Sequence, residues 1–242
     1  MIESHNIADN TQWFETSLGC YLLNREYRYF DKVVANIFGY NAIQIGMSQF
    51  NFLRFNRMPL QFSIGLGKEQ SALIASADFL PIQSNSIDLV IMPHTLDFNF
   101  NPHQILREVY RVLIPEGHMV ISGFNPLSLW GVGRYLKTNR KDFPWNANFI
   151  ALSRIKDWLK LLDFETMGGE LCCYAPPFER EKWRQRFRFM EAAGDRWWPI
   201  GGGVYFLHAI KHMHGMRVIK PGWKKNLDSR ERIVSVTQKL NK

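Results

Sequence analysis

Apolar residues recur at helical spacing between Thr16 and Phe38, where Leu18, Leu22, Phe30, Val33, Val34 and Ile37 line one face. Ser17 is placed to cap the start of this helix and Gly39 to end it. The pattern then shortens into strand-type runs at Asn41 to Ile45, Leu60 to Ile64, Ala72 to Ser76 and Ile87 to Met92. A helix follows in which Asn101 caps, Pro102 takes the first position and Gln104 completes a capping-box spacing, ahead of Ile105, Leu106, Val109, Val112 and Leu113. Pro115 and Gly117 stop it. His118 to Gly123 reads as a strand, Ser153 to Leu162 as a helix and Phe164 to Tyr174 as a strand. An Arg-rich helix from Phe178 to Ala193 and a last strand from Gly203 to Ile210 complete the series. Such alternation predicts a mostly parallel sheet with helices on both faces. Ligands of such sheets gather beyond the carboxyl ends of the strands, which here lead into Gly46 to Gln49, Gly65 to Lys68, Asp78 and Phe79, Pro93 to Asp97, and Phe124 to Gly131.

Composition narrows the class. A chain of 242 residues with 46% hydrophobic content can build the core of one large α/β domain. The polar first residues do not read as a secretory signal, and no apolar run reaches the ~18 residues of a membrane span. Cys20, Cys172 and Cys173 are too few for a disulfide framework, which predicts a reducing, cytoplasmic setting with no membrane partner. Charge is uneven: residues 1–136 hold 9 Lys and Arg against 11 Asp and Glu, so the rest of a chain of net charge +8 carries +10. A solvated basic face is the commoner cause of such an excess, and nucleic acid is the minority reading for a partner.

The stretch SADFLPIQSNSIDLVIMPHTLDF, continued by PHQILREVYRVLIPEGHMVISGFNP, resembles the class I S-adenosylmethionine-dependent methyltransferases. Asp78 to Ile82 is similar to that family's acidic residue and Leu-Pro-Phe turn near the adenine. Ser86 to Asp88 resembles its entry to strand four, and Arg107 to Gly117 its Arg-Glu-x-x-Arg-Val-Leu-x-Pro-Gly helix ending. GFNPLSLWG, at 123–131, resembles a small group of bacterial methyltransferase-domain proteins. The resemblance spans residues 41–126. It implies a Rossmann-like methyltransferase fold with a seven-stranded sheet and an antiparallel last strand, S-adenosyl-L-methionine as cofactor, and methyl transfer to an acceptor that the sequence does not identify. The implied organisation is an N-terminal helical lid segment at 1–40, a methyltransferase-like domain at 41–215 and a basic tail at 216–242. The implied cofactor-binding residues are Gln44, Gly46, Met47, Gly65, Asp78, Phe79, Pro93 and His94.

The first motif departs from the family pattern. Gln44 stands where an acid is expected, Ser48 and Phe50 stand where the second and third glycines would be, and the acid that usually ends strand two is missing from Ser63 to Leu66. In a working loop Gln44 can still offer an amide oxygen to the cofactor's ammonium group, Ser48 is small enough to admit the ligand's tail, and Phe50 has to point into a covering layer. The alternative is a catalytically inactive methyltransferase-fold binding or scaffolding module, able to meet nucleic acid through its basic half.

Several residues have two readings each. Asp78 either meets the adenine or caps a turn, and His94 is either the candidate catalytic proton acceptor or a satisfied loop histidine. Arg180, Arg184 and Arg188 form a stripe joined by Arg186, either a solvated face or part of an acceptor site. Trp130, Trp145, Trp197 and Trp198 either pack in the core or lid or stack on a flat acceptor. His208, His212 and His214 match no zinc spacing, so no metal is predicted.

Overall fold

The computed structural model describes residues 11–66, 71–136, 142–178, 186–187, 189–197 and 200–212. Two helices, α1 (Thr11–Glu15) and α2 (Ser17–Val34), precede the strands β1 (Asn41–Ile45), β2 (Leu60–Gly65), β3 (Leu73–Ile74) and β4 (Ile87–Pro93). Then come α3 (Pro102–Val112), β5 (Leu113–Phe124), α4 (Leu129–Leu136), α5 (Leu152–Leu161), β6 (Phe164–Cys172), α6 (Phe189–Trp197) and β7 (Val204–Lys211). The strands form one seven-stranded sheet in the order β3-β2-β1-β4-β5-β7-β6. All neighbours from β3 to β5 are parallel, while β7 runs antiparallel to both β5 and β6. Strand order reverses between β1 and β4. That is where an open α/β sheet leaves a crevice at its carboxyl edge.

Two apolar layers enclose the sheet. One, under α2, contains Leu18, Leu22, Phe30, Ala42, Leu89, Val120 and Phe206; the other, under α3 and α5, contains Ile43, Val90, Leu106, Val109, Ile121 and Leu159. Alternation along β1, β4 and β5 sends successive side chains to opposite layers, so these strands are buried on both faces.

Local signals differ from the sequence reading in instructive ways. The cap of α2 is Thr16, whose hydroxyl accepts from the Gly19 amide at 3.1 Å, and the helix ends at Val34 rather than Phe38. Gly39 lies beyond that end and makes room for Asp88. A Cβ there would lie 2.5 Å from the Asp88 side chain, whose carboxylate accepts the Asn41 amide at 2.9 Å and fixes the start of β1. Asn101 makes no side-chain cap. Its backbone carbonyl instead accepts from the amides of Gln104 and Ile105. Pro115 and Gly117 lie inside β5, whose register with β4 shifts between Ile87 and Leu89 and so absorbs the extra residues. The third strand is two residues long. The Arg-rich helix is described only as α6, so Arg180, Arg184, Arg188, His214 and the 216–242 tail lie outside the described residues, as does Trp198. Arg186 is exposed.

The helix motif of the resemblance has a structural meaning. The Glu108 carboxylate accepts the Leu80 amide, while the Arg111 guanidinium donates to the carbonyls of Leu80 and Ile82 and to Glu108. Together they clamp the 80–84 turn onto α3 and thereby position Asp78 and Phe79. Lys211 does the same at the far end of β7, donating to Asn85, Tyr110 and Leu113 within 2.8 Å. No helix among the described residues is long and apolar enough to cross a membrane.

Candidate cofactor edge and its buried carboxylate–imidazole cluster

The loop after β1 turns at Gly46, whose φ of 82° lies in the left-handed region. Met47 follows at a φ of 45° with its side chain buried. Inside this turn sits Gln44, 2% exposed, and its amide is fully engaged. Nε2 lies within donor distance of the carbonyls of Gly46, Met47 and Phe50 at 3.1, 3.0 and 2.7 Å, and Oε1 accepts the Phe52 amide at 3.1 Å. Gln44 therefore shapes the loop from within, and its oxygen is not directed to the edge. Phe50 meets the condition set by the sequence: its ring packs into the covering layer against Phe14 and Phe52, with centroids 4.9 and 6.3 Å away.

Small side chains fill the seam between the first two strands. A Cβ added to Gly65 would lie 2.6 Å from the hydroxyls of both Ser48 and Ser71, which are 2.8 Å apart and hydrogen-bonded to each other. Across the reversal point, Thr95 donates to the Ile45 carbonyl and ties the loop after β4 to the end of β1. Pro93 ends β4 opposite Ser122 of β5 and is buried. Asp78 is half-buried and accepts from the Ser76 hydroxyl within its own turn, and the neighbouring Phe79 ring is 78% exposed.

The structure places His94 differently from its neighbours in the motif. Its φ of 50° turns the imidazole inward, and the residue is wholly buried. Nδ1 lies 2.9 Å from Oδ2 of Asp97, and Nε2 lies 2.8 Å from Oε1 of Glu26, off the line of a well-directed hydrogen bond. The ring stacks on Phe124 at 4.0 Å. Burial alone pushes the imidazole toward the neutral form, but the charge of Glu26 beside Nε2 and the hydrogen bond to Asp97 outweigh it and hold its pKa at about 9. His94 is thus an imidazolium between two carboxylates. In this arrangement it has no free nitrogen with which to accept a proton at the edge.

The rest of the cluster is equally enclosed. Glu26 projects from the middle of α2 and accepts from the Ser122 hydroxyl at 3.1 Å. Asp97 also accepts the Phe124 amide at 2.9 Å, and burial pushes its carboxyl above the ordinary range despite the pull of His94. Glu26 Oε2, Asp97 Oδ1 and the Tyr205 hydroxyl have no hydrogen-bond partner among the described residues. A cavity of about 150 Å³, lined by Asp97, Phe98, Asn99, Phe100, Asn146 and Asn148, adjoins the cluster. Glu26 escapes the sequence reading although its signal is present: Leu18, Leu22, Glu26, Phe30 and Val34 follow at four-residue steps, so a charge interrupts an apolar stripe.

Other candidates separate from this edge. Trp130 and Trp145 are core residues, and Trp130 donates to the Ala175 carbonyl at 3.1 Å. His208 pairs with His118, nitrogen to nitrogen at 2.9 Å, and His212 lies near Glu116 and Glu165. Among the described residues no three His, Cys, Asp or Glu side chains are grouped to hold a metal ion.

The profile of a family described as "Methyltransferase domain" matches residues 55–121. Among solved structures, an S-adenosylmethionine-dependent methyltransferase of Thermotoga maritima, described as a possible histamine N-methyltransferase, superposes with a TM-score of 0.61 at 17% identity, covering 85% of this chain and 96% of that one. An S-adenosylmethionine-dependent methyltransferase of Archaeoglobus fulgidus gives 0.57 at 14% identity, covering 79% and 94%. The protein YafS of Escherichia coli K12, described as uncharacterized, is 44% identical over 88 residues, which is 36% of this chain and only 37% of the length of that relative. The fold is that of the class I S-adenosylmethionine-dependent methyltransferases, and the resemblance read from residues 41–126 is borne out by the profile and by the sheet topology.

Proposed function

We propose that the protein is an S-adenosylmethionine-dependent methyltransferase whose cofactor lies along the carboxyl edge from β3 to β4. The observation that carries this reading is the seam of Gly46, Ser48, Gly65 and Ser71 beside the reversal point, where only small side chains stand between the first two strands. The glycines let backbone come close there, and a nucleoside would take the place of the contact between the Ser48 and Ser71 hydroxyls. The exposed Phe79 ring and the Asp78 turn, clamped by Glu108 and Arg111, suit the adenine end, while Met47, Pro93 and the backbone of His94 flank the other. The fit is uneven, because the amide of Gln44 is engaged in its own loop and residues 46–50 of that loop carry no carboxylate that would favour an ammonium group. When bound, S-adenosylmethionine supplies an electrophilic methyl group; the chain's contribution is to align the acceptor and exclude water.

Titration calorimetry of the full chain with S-adenosylhomocysteine tests this. Saturable binding is expected, together with its loss in Gly65→Val, whose side chain would force Ser48 and Ser71 apart. Absence of heat from folded wild-type protein at millimolar ligand overturns the reading in favour of a scaffolding module. The engaged amide of Gln44 is the observation that favours this second reading. The acidic-to-basic asymmetry leaves nucleic acid as a partner for that module, with affinity that would fall steeply as salt rises.

A further inference from the structure

Beyond β4 the carboxyl edge continues into the loop after β5, where a second and larger cavity opens. It measures about 670 Å³ and lies between the Pro126 to Val132 segment, Tyr174 after β6, and α6. That volume falls within the roughly 300–1,000 Å³ of small-molecule sites. Its walls are apolar: Leu127, Leu129, Val132, Phe189 and Met190 line it beside the ring of Tyr174. The one hydroxyl contributed by the near wall, on Ser128, already donates to the Asn125 carbonyl at 2.6 Å and accepts from the Gly131 amide at 3.2 Å. A polar guest would lose its hydration against these walls, whereas an apolar guest would not.

The cavity is built in and is not a gap between loose elements. A Cβ on Gly194 would lie 2.3 Å from the Tyr174 ring, so α6 seats directly on that ring, and Tyr174 is itself buried. Glu191 on the same helix accepts the Ala175 amide at 3.1 Å and pairs with Arg25 of α2 at 3.2 Å, which fixes the far wall to the lid side of the fold. The near wall grows out of Phe124, the residue that stacks on His94 at the end of β4. At the rim, Leu127, Val132 and Phe189 are 70%, 52% and 66% exposed, an unusual concentration of large apolar side chains on a surface.

We infer that this cavity is the acceptor site and that it takes a methyl acceptor carrying a single aliphatic or isoprenoid chain, held by its chain rather than by hydrogen bonds. The inference rests on the methyltransferase reading above, and the test separates the two. A fluorescent 12-carbon fatty acid, kept below its micellar concentration, is titrated into the full chain with and without S-adenosylhomocysteine. The expected result is one saturable chain site per protein. In Val132→Asp, chain affinity should fall at least tenfold, Val132→Leu should retain it, and S-adenosylhomocysteine affinity should be the same in both variants and wild type. Circular dichroism and thermal melting establish that both variants are folded. Cofactor binding without chain binding overturns the acceptor assignment and leaves the methyltransferase reading intact. Chain binding without cofactor binding removes the methyltransferase reading and, with it, the acceptor role. Concentration-dependent dimerisation that is lost in Val132→Asp, with no chain binding, would mark the rim as an interface between copies and overturn the inference as well.

Discussion

At the scale of single residues, Gln44 shows how a departure from a motif acquires meaning only once the path of the loop is known. The sequence shows that an acid is missing. It does not show that three carbonyls converge on the amide nitrogen that replaces it, because that convergence depends on the left-handed turn at Gly46 and Met47. A glutamate at this position would set a buried carboxylate against those carbonyls with no hydrogen to offer, so restoring the family's acid should harm this loop. We expect Gln44→Glu to lower unfolding free energy by about 2–4 kcal/mol at pH 7. The deficit should shrink on acidification as the carboxyl regains a proton, and urea denaturation at pH 7 and pH 5 measures both. Equal stability of variant and wild type at pH 7 would show that the amide is not needed as a donor. At the adenine end, Asp78→Ala should weaken S-adenosylhomocysteine binding by about 1.5–3 kcal/mol if the carboxylate makes a charged hydrogen bond there. A change of less than twofold in calorimetry would leave Asp78 only its turn with Ser76.

Among the secondary elements, legibility follows the strength of the periodic signal. The continuous apolar runs of β1 and β4 fix those strands because both faces are buried, and the apolar spacing of α3 fixes that helix. The short α1 and α4 are not legible in this way. α1 has a single turn and a half of pattern, and α4 follows a proline and turn that read equally well as loop. At α2 the cap falls one residue earlier than the sequence suggests, since Thr16 and Ser17 offer the same chemistry and only backbone angles choose between them. More consequential, and equally hidden, is the docking face of α2. Glu26 in its apolar stripe commits the helix to one register over β4 and β5, because a shift would bury the carboxylate without His94 and Ser122. Tyr21 and Arg25 on the same helix meet Glu191 of α6, so the seating of α2 also joins the two walls of the edge. Glu26→Ala should then cost about 3–5 kcal/mol, as expected when one partner of a buried charge cluster is removed. Amide hydrogen exchange should accelerate along Ser17 to Val34 before it does so in β4 or β5. Uniform acceleration across the sheet would indicate that the helix and the sheet open as one unit.

At the scale of the whole molecule, three of the buried ionisable side chains among the described residues, Glu26, His94 and Asp97, lie together, and this makes stability depend on pH in a definite direction. His94 is held at about 9 against an ordinary value of 6.5, and Asp97 is pushed upward by burial, so the folded cluster binds more protons than the same groups in the unfolded chain. Where the native state binds the extra proton, unfolding free energy falls as pH rises. The contribution of His94 is fully present below about pH 6.5 and is lost as pH climbs through about 9. The separation of those two values corresponds to a loss on the order of 3 kcal/mol. The raised pKa values of Tyr21, Tyr205 and Cys172 act in the same sense, but at more alkaline pH, so the window from pH 6.5 to 9 belongs mainly to the cluster. His118 and His208 do not compete there, because burial lowers both and their titration falls on the acid side. Unfolding free energy of wild type and Glu26→Gln, measured in urea at half-unit steps across that window, isolates the effect. Removing the Glu26 charge takes away the largest upward pull on His94, so the variant should be less stable at pH 6.5 yet lose less between pH 6.5 and 9. The two curves should therefore converge as pH rises. Parallel curves would mean that His94 is neutral in the folded protein, and the imidazolium between two carboxylates would have to be given up.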